Sequence, residues 1–286
     1  MEIGVALPTT LRGVAGDTVL EWATEADQAG FSSVATLDRL VFDSYESLTT
    51  LAAAAAVTSR VKLVTSILIS PLHANTALLA KQAATIDRLS GGRLVLGVAA
   101  GSRPDDFRAS KVEMAGRGKR IEGQLAELRA IWSGERRGFA GGIGPAVTSG
   151  GPSFWMGGHT PVAIKRTARL ADAWMSGSGG VDMFKGGAAA FRAAWQEQGR
   201  AGKPKVVALT YFALGPDADS LADQYVSEYY SFAPPYAQMV LRNTAAGETK
   251  LRATIAALEE AGCDELLLAP CSADLGQLKE LQTIIG

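Results

Sequence analysis

Two cysteines and two histidines among 286 residues leave little material for disulfide or metal chemistry. Cys263 and Cys271 are too few for a disulfide framework and lack the spacing of a zinc ligand set. His73 and His159 stand far apart without a local ligand motif, which leaves a metal site unsupported. A basic excess is missing too. The 28 Lys and Arg against 29 Asp and Glu give a net charge of −1, with no basic stripe, which speaks against nucleic acid or an anionic membrane as partner. No apolar run reaches the ~18 residues of a membrane helix, and the stretch Leu51 to Val57 is short and alanine-rich. The start Met1-Glu2-Ile3-Gly4 has neither the basic opening nor the apolar run of a signal peptide, so a soluble cytoplasmic protein is expected. No serine sits in G-x-S-x-G, which removes the usual acyl-transfer arrangement.

What is present is a steady alternation of short apolar runs and helical sequence. Hydrophobic residues make up 47% and charged residues 20%, enough for a sizeable core. Strands are expected at Glu2 to Leu7, Phe31 to Leu37, Val61 to Ile69, Arg93 to Val98, Ser153 to Met156, Ala173 to Ser176, Lys205 to Leu214 and Glu265 to Ala269. Helical sequence follows each. The first helix is expected to open on a Thr18–Glu21 capping box and to stop at Gly30. Glycine dominates from 133 to 151 and no period survives there, so that segment is expected to be a surface excursion. Asp217 to Ser231 and Tyr236 to Arg242 suggest an inserted helical pair, within about 216–245, broken by Pro234-Pro235. Eight strand–helix units joined by right-handed crossovers close into a single-domain (β/α)8 TIM barrel over 1–286. A doubly wound open sheet is the alternative. It would carry G-x-G-x-x-G after its first strand, where this chain has Pro8-Thr9-Thr10-Leu11.

The most informative stretch is Pro152-Ser153-Phe154-Trp155-Met156-Gly157-Gly158-His159-Thr160-Pro161. A strand runs into two glycines, then into Thr160 as N-cap and Pro161 at the first helical position. Two readings stand for Gly157-Gly158: a tight turn between strand and helix, or a cradle whose bare amides and helix dipole hold an anion such as phosphate. Barrel active sites lie at the C-terminal strand ends. That rule selects Leu7 and Pro8, Asp38 and Arg39, Ser66 to His73, Ala99 to Ser102 with Gly101, Gly157 to Thr160, Ser176 to Gly180, Tyr211 to Leu214, and Pro270 with Cys271.

Several segments resemble the luciferase-like flavin monooxygenase superfamily, which includes bacterial luciferase and enzymes using the deazaflavin coenzyme F420. The resemblance rests on Ala84-Thr85-Ile86-Asp87-Arg88-Leu89-Ser90-Gly91-Gly92-Arg93-Leu94-Val95-Leu96-Gly97-Val98, on Phe154 to Gly158 with Pro161, on Ala171-Asp172-Ala173-Trp174, and on Ala29-Gly30-Phe31 followed by Asp38. It covers Met1 to about Gln198, and the remainder by fold only. It implies a flavin across the barrel mouth, with its phosphate at Gly157, Gly158, His159 and Thr160 and with Ser176 and Gly177 opposite. It also implies a non-proline cis peptide at Ser66-Ile67, against the flavin ring. Two positions depart from the pattern. Arg39 follows Asp38 where many members carry histidine, and Ala100 stands where bacterial luciferase has an arginine.

Asp38 is then a polar group beside flavin and substrate, or a cap partner for Arg39. Arg39 is a fixed cation for the ring or for an anionic substrate. His73 is a proton donor at the rim, or a solvated loop residue. His159 offers the anion its ring or only its amide. Trp155 and Trp174 are expected in the core. The resemblance implies oxidation of a small organic substrate with reduced FMN and oxygen, the flavin being reduced by a separate reductase, in a homodimer; Ala52 to Ala56 either help pack that dimer or simply pack on the barrel. Two alternatives remain open: F420-dependent hydride transfer, with Lys165, Arg166 and Arg169 serving a polyglutamyl tail, and a flavin- or phosphate-binding barrel without catalysis.

Overall fold

The computed structural model describes residues 1–286 and contains a closed barrel of eight parallel strands wrapped by eleven helices. The staves are β1 (Glu2–Ala6), β2 (Ser33–Thr36), β3 (Lys62–Thr65), β4 (Leu94–Ala99), β5 (Ser153–Gly157), β6 (Ala173–Ser176), β7 (Lys205–Ala213) and β8 (Glu265–Pro270). They pair in that order, and β8 closes on β1 through Glu2↔Glu265 to Val5↔Leu268. This is the expected (β/α)8 fold.

The helices are α1 (Gly16–Gln28), α2 (Ser47–Val57), α3 (Thr76–Leu89), α4 (Pro104–Ala109), α5 (Arg117–Trp132), α6 (Pro161–Leu170), α7 (Val181–Glu197), α8 (Ala218–Tyr229), α9 (Pro234–Asn243), α10 (Glu248–Glu260) and α11 (Leu275–Ile285). No helix is long and apolar enough to cross a membrane. Side-chain alternation along the staves divides the core in two. Outward-facing Val5, Val34, Leu63, Leu96, Phe154 and Trp174 pack under the helices, while inward-facing Ala6, Ala35, Val64, Val95, Trp155, Met175 and Leu267 fill the barrel. Both tryptophans are buried, as expected.

Three local expectations need correction, and the surface excursion gains a detail. Helix α1 starts at Gly16 after Ala15, with no side-chain cap, so Thr18 lies inside the helix and forms no capping box. The third strand is interrupted: β3 stops at Thr65, a cis Ser66–Ile67 peptide follows, and Leu68–Ile69 pairs separately with β4. The glycine-rich excursion contains a small antiparallel hairpin, Arg136–Gly138 with Gly141–Gly142. Pro234 and Pro235 open α9 instead of breaking a helix, since the first turn needs no intrahelical N–H donors.

The loop before β3 hangs on one carboxylate. Asp27 accepts from the amides of Ser59 (2.9 Å), Arg60 (2.9 Å) and Val61 (2.8 Å). Burial opposes ionisation there, yet those three amides and the Ser59 hydroxyl bring its pKa down to about 2 from 3.8. A depressed carboxyl stabilises the fold above its unfolded pKa and loses that contribution as pH falls through about 2. Asp27→Asn is therefore expected to be less stable than the wild type at pH 7. The two should converge as the pH approaches 2, as read by urea denaturation at each pH.

At the N-terminal end of the barrel, Glu265 is fully buried. Its Oε1 accepts from Ser32 Oγ (2.7 Å) and Ser33 Oγ (2.8 Å), and its Oε2 from Lys62 Nζ (2.6 Å) and Lys205 Nζ (2.7 Å). Both ammonium groups also lie near the Trp155 ring, at 5.8 and 5.0 Å from its centroid. This polar plug shuts the end of the barrel away from the stave C-termini.

Candidate active site

A cavity of about 810 Å³ opens at the C-terminal ends of the staves. One corner is the turn between β5 and α6. Thr160 caps α6 by accepting from the Ala163 amide (3.2 Å), and Pro161 takes the first helical position. Trp174 Nε1 donates to the Gly158 carbonyl (2.9 Å) and thereby fixes the turn. The amides of Gly158, His159 and Thr160 donate to no protein acceptor, nor do those of Gly177 and Ser178 in the adjacent loop after β6. Five free donors on two neighbouring loops, beside a helix N-terminus, form a cradle suited to an anion.

The glycines are required by space. Gly158 has φ +134°, and a Cβ on it would lie 2.7 Å from Ala163 Cβ. A Cβ on Gly157 would lie 2.8 Å from Ile67 Cδ1. Arg166 reaches the same corner, with its Nε on Glu122 Oε1 (2.9 Å), while Glu122 Oε2 holds Arg169 (2.7 Å).

The floor is made by Ser66, Ile67 and Met175, with Ser66 Oγ 3.4 Å from Met175 Sδ. Gly101, at φ +79°, and Asp38 complete the side near α4. Asp38 Oδ2 accepts from the Ile69 amide (2.8 Å), which ties the end of β2 to the interrupted third strand. Burial raises its pKa above the usual carboxylate value, and the Ile69 amide only partly offsets that. His159 packs edge-on against Trp174, at 5.4 Å between ring centroids, and partial burial lowers its pKa.

Asp38, Ser66, Ile67, Gly101, Gly157, Gly158, His159, Thr160, Ser176 and Gly177 all line this one cavity. Arg39 and His73 do not. The Arg39 guanidinium turns away beneath the wall, where Nη1 donates to the Tyr229 carbonyl at the end of α8 (2.6 Å) and the group lies over Phe42, 4.5 Å from its centroid. His73 follows the short helical turn Ser70–Leu72, and its carbonyl accepts from Gln124 Nε2 (2.9 Å).

Tyr211, selected as a strand end, is in the wall too, together with residues that sequence reasoning missed: Arg103, Tyr229, Tyr230, Phe232 and Tyr236. A signal existed for two of them. Pro104-Asp105-Asp106 after Arg103 is a helix start, which places Arg103 on the loop after β4. Tyr225 and Tyr229 share one helix face, four residues apart. Nothing local indicated that α8 and α9 fold back over the mouth.

An uncharacterised protein of Mycobacterium tuberculosis is 36% identical over 145 residues, 48% of this chain and 49% of that protein, so the chain spans about half the length of such curated relatives. The FMNH2-dependent dimethylsulfone monooxygenase of Pseudomonas putida is 27% identical over 207 residues, 68% of this chain and 56% of that protein. Among solved structures, an F420-dependent secondary alcohol dehydrogenase in complex with an F420-acetone adduct superposes with a TM-score of 0.83. It covers 99% of this chain and 98% of its own at 18% identity, a likeness of fold. Residues 1–269 match the luciferase-like monooxygenase family, and the chain belongs to it.

Proposed function

We propose that the protein is an oxidoreductase that uses reduced FMN and oxygen to oxidise a small organic substrate. The observation that carries this is the set of five unpartnered amides at one end of the large cavity. Their donors suit a phosphate dianion, and the glycine geometry leaves the room that a Cβ would fill. A cavity of about 810 Å³ is near the top of the range for small-molecule sites, so cofactor and substrate fit together.

In this reading the amides of Gly158, His159, Thr160, Gly177 and Ser178 hold the phosphate. Ile67 and Met175 present an apolar surface to the ring. Reduced FMN, when bound, supplies the electrons that activate oxygen. Asp38 is the wall carboxyl best suited to carry a proton, because burial favours its neutral form and Ile69 fixes its orientation. Tyr211, buried inside the barrel, donates to or accepts from Tyr230 (2.9 Å), and the pair limits water access from that side. A separate flavin reductase as electron source and a homodimer packed through α2 belong to the same proposal. On that helix Ala54 and Ala55 pack inward, while Ala53 and Ala56 face out.

FMN is preferred to F420 for an electrostatic reason. Of the three cations that would meet a polyglutamyl tail, Arg166 and Arg169 are already paired with Glu122, which leaves Lys165 alone without an ion-pair partner. Titration of the protein with FMN and with F420, followed by flavin absorbance and fluorescence, tests this. FMN is expected to bind with a Kd on the order of micromolar and F420 more weakly. Binding of neither overturns the assignment. FMN binding without any turnover of reduced FMN and oxygen would leave a binding protein in its place.

A further inference from the structure

The cavity end away from the anion cradle holds an uneven set of charges. The guanidiniums of Arg39 and Arg103 both lie against the same two rings. Arg39 is 5.4 Å from the centroid of Tyr229 and 5.3 Å from that of Phe232, and Arg103 is 5.3 and 5.5 Å away. Asp106 is the one carboxylate in ion-pair contact with either, at 3.3 Å from Arg103 Nη1, and its other oxygen is committed to the Val41 amide (2.8 Å). Asp105 and Asp38 also face this pair. Asp38 meets Arg103 only through its backbone carbonyl (3.2 Å). Two guanidiniums thus share a single direct ion-pair partner, Asp106.

Arg103 differs from Arg39 in access. Arg39 Nε is sealed and unpartnered, and its residue is absent from the cavity wall. Arg103 is in the wall. Its Nη1 is held by Asp38 and Asp106 and its Nη2 by the Tyr229 hydroxyl (3.1 Å), while its Nε has no protein acceptor and is not sealed from solvent. The guanidinium is thus locked in place with one donor edge open. Beside it, Phe232 and Tyr236 are 40% and 37% exposed as residues, and both line the cavity mouth.

We propose that Arg103 is a specificity-determining residue that binds the carboxylate of an organic acid whose apolar body rests on Phe232 and Tyr236. A fixed guanidinium recognises carboxylate geometry better than a flexible ammonium does, and hydrogen bonds to an ionised acceptor are the strong ones. The cation–ring contacts hold Arg103 against solvent when the site is empty. Calling the ligand a substrate rests on the oxidoreductase assignment, whereas the carboxylate subsite does not.

The test uses 4-fluorobenzoate and its neutral analogue 4-fluorobenzamide, titrated into the full protein and followed by 19F NMR. Benzoate is expected to bind at least ~10-fold more tightly than benzamide. Arg103→Gln should abolish that preference without changing benzamide affinity, and Arg103→Lys should retain part of it, with thermal melts confirming that both variants fold. Equal binding of the two probes, or a preference that survives in Arg103→Gln, overturns the proposal. FMN titrations of the same samples separate the two claims. A benzoate preference without FMN binding removes the FMN-dependent assignment alone, and FMN binding without the preference removes the subsite alone.

Discussion

Replacing Glu265 by alanine is expected to destabilise the protein by about 3–5 kcal/mol while leaving cofactor affinity unchanged. The carboxylate has no solvent exposure, and the Lys62 and Lys205 side chains it holds are only 27% and 29% exposed. Removing the anion leaves two ammonium groups close together at the end of the barrel, and two serine hydroxyls without their acceptor. Glu2 also contacts both lysines, at 3.0 and 2.9 Å, but is about half exposed and cannot replace a buried partner. Thermal unfolding should move down by roughly 6–10 °C for a chain of this size. Glu265→Gln should fall between alanine and the wild type, since it keeps an acceptor for the serines but not the charge. A loss below about 1 kcal/mol in urea denaturation would mean that water already screens the cluster. The pH dependence gives a second check. Burial works against ionised Glu2, but hydrogen bonds from Lys205 and Lys62 bring its pKa from 4.5 down to about 2. Its contribution is therefore complete above pH 4.5, is lost as pH falls through about 2, and should be weaker at high salt.

The barrel is legible because each stave is a short apolar run with a helix-length segment behind it. Helices α5 and α11 can be placed residue for residue, and Asn75 caps α3 as its position before the helical run suggests. Errors arise where a local signal competes with packing. Thr18 and Glu21 have capping-box spacing, but burial of Val19 and Trp22 fixes the register, and α1 simply extends one turn earlier. Helix α4 escapes notice because six residues carry too little periodicity, even with Pro104 at its start and two acids in its first turn. The cis bond at Ser66–Ile67 is expected from resemblance; no feature of the residue types alone marks it.

The candidate site divides along the same line. The anion cradle is readable because glycine pairs, an N-cap threonine and an N1 proline report backbone geometry directly. The opposite wall is not. Arg39 and Arg103 are similar in the sequence, each on a loop after a stave, yet one guanidinium serves the end of α8 and the other the cavity. That difference depends on where the α8–α9 insertion lands, and the insertion is placed by long-range packing of Tyr225, Tyr229 and Val240 on the barrel end. Consequently the end proposed to hold a cofactor phosphate is specified locally, and the end proposed to select a substrate is specified by tertiary contacts.

Gly158→Val should reduce FMN affinity about 100-fold, corresponding to ~2.7 kcal/mol. At φ +134° a β-branched side chain is strongly disfavoured, and its Cβ would press on Ala163, whose amide is the one that Thr160 caps. Relief requires the turn to rotate, which moves the amides of Gly158, His159 and Thr160 together and frees the Gly158 carbonyl from Trp174. Backbone strain of about 1–3 kcal/mol lowers stability as well, so a control must separate the two effects. Gly199, at φ +64° after α7, provides it, because a Cβ there would meet nothing within 4 Å. Gly199→Ala should cost about 1 kcal/mol of stability without altering FMN binding. Gly158→Ala should lie between wild type and valine in affinity, since it shares the φ penalty but has less bulk to accommodate. Fluorescence titration with FMN, paired with urea denaturation, reads both quantities on the same variants. If Gly158→Val loses stability but binds FMN as the wild type does, the phosphate lies elsewhere, and the free amides after β5 do not orient the cofactor.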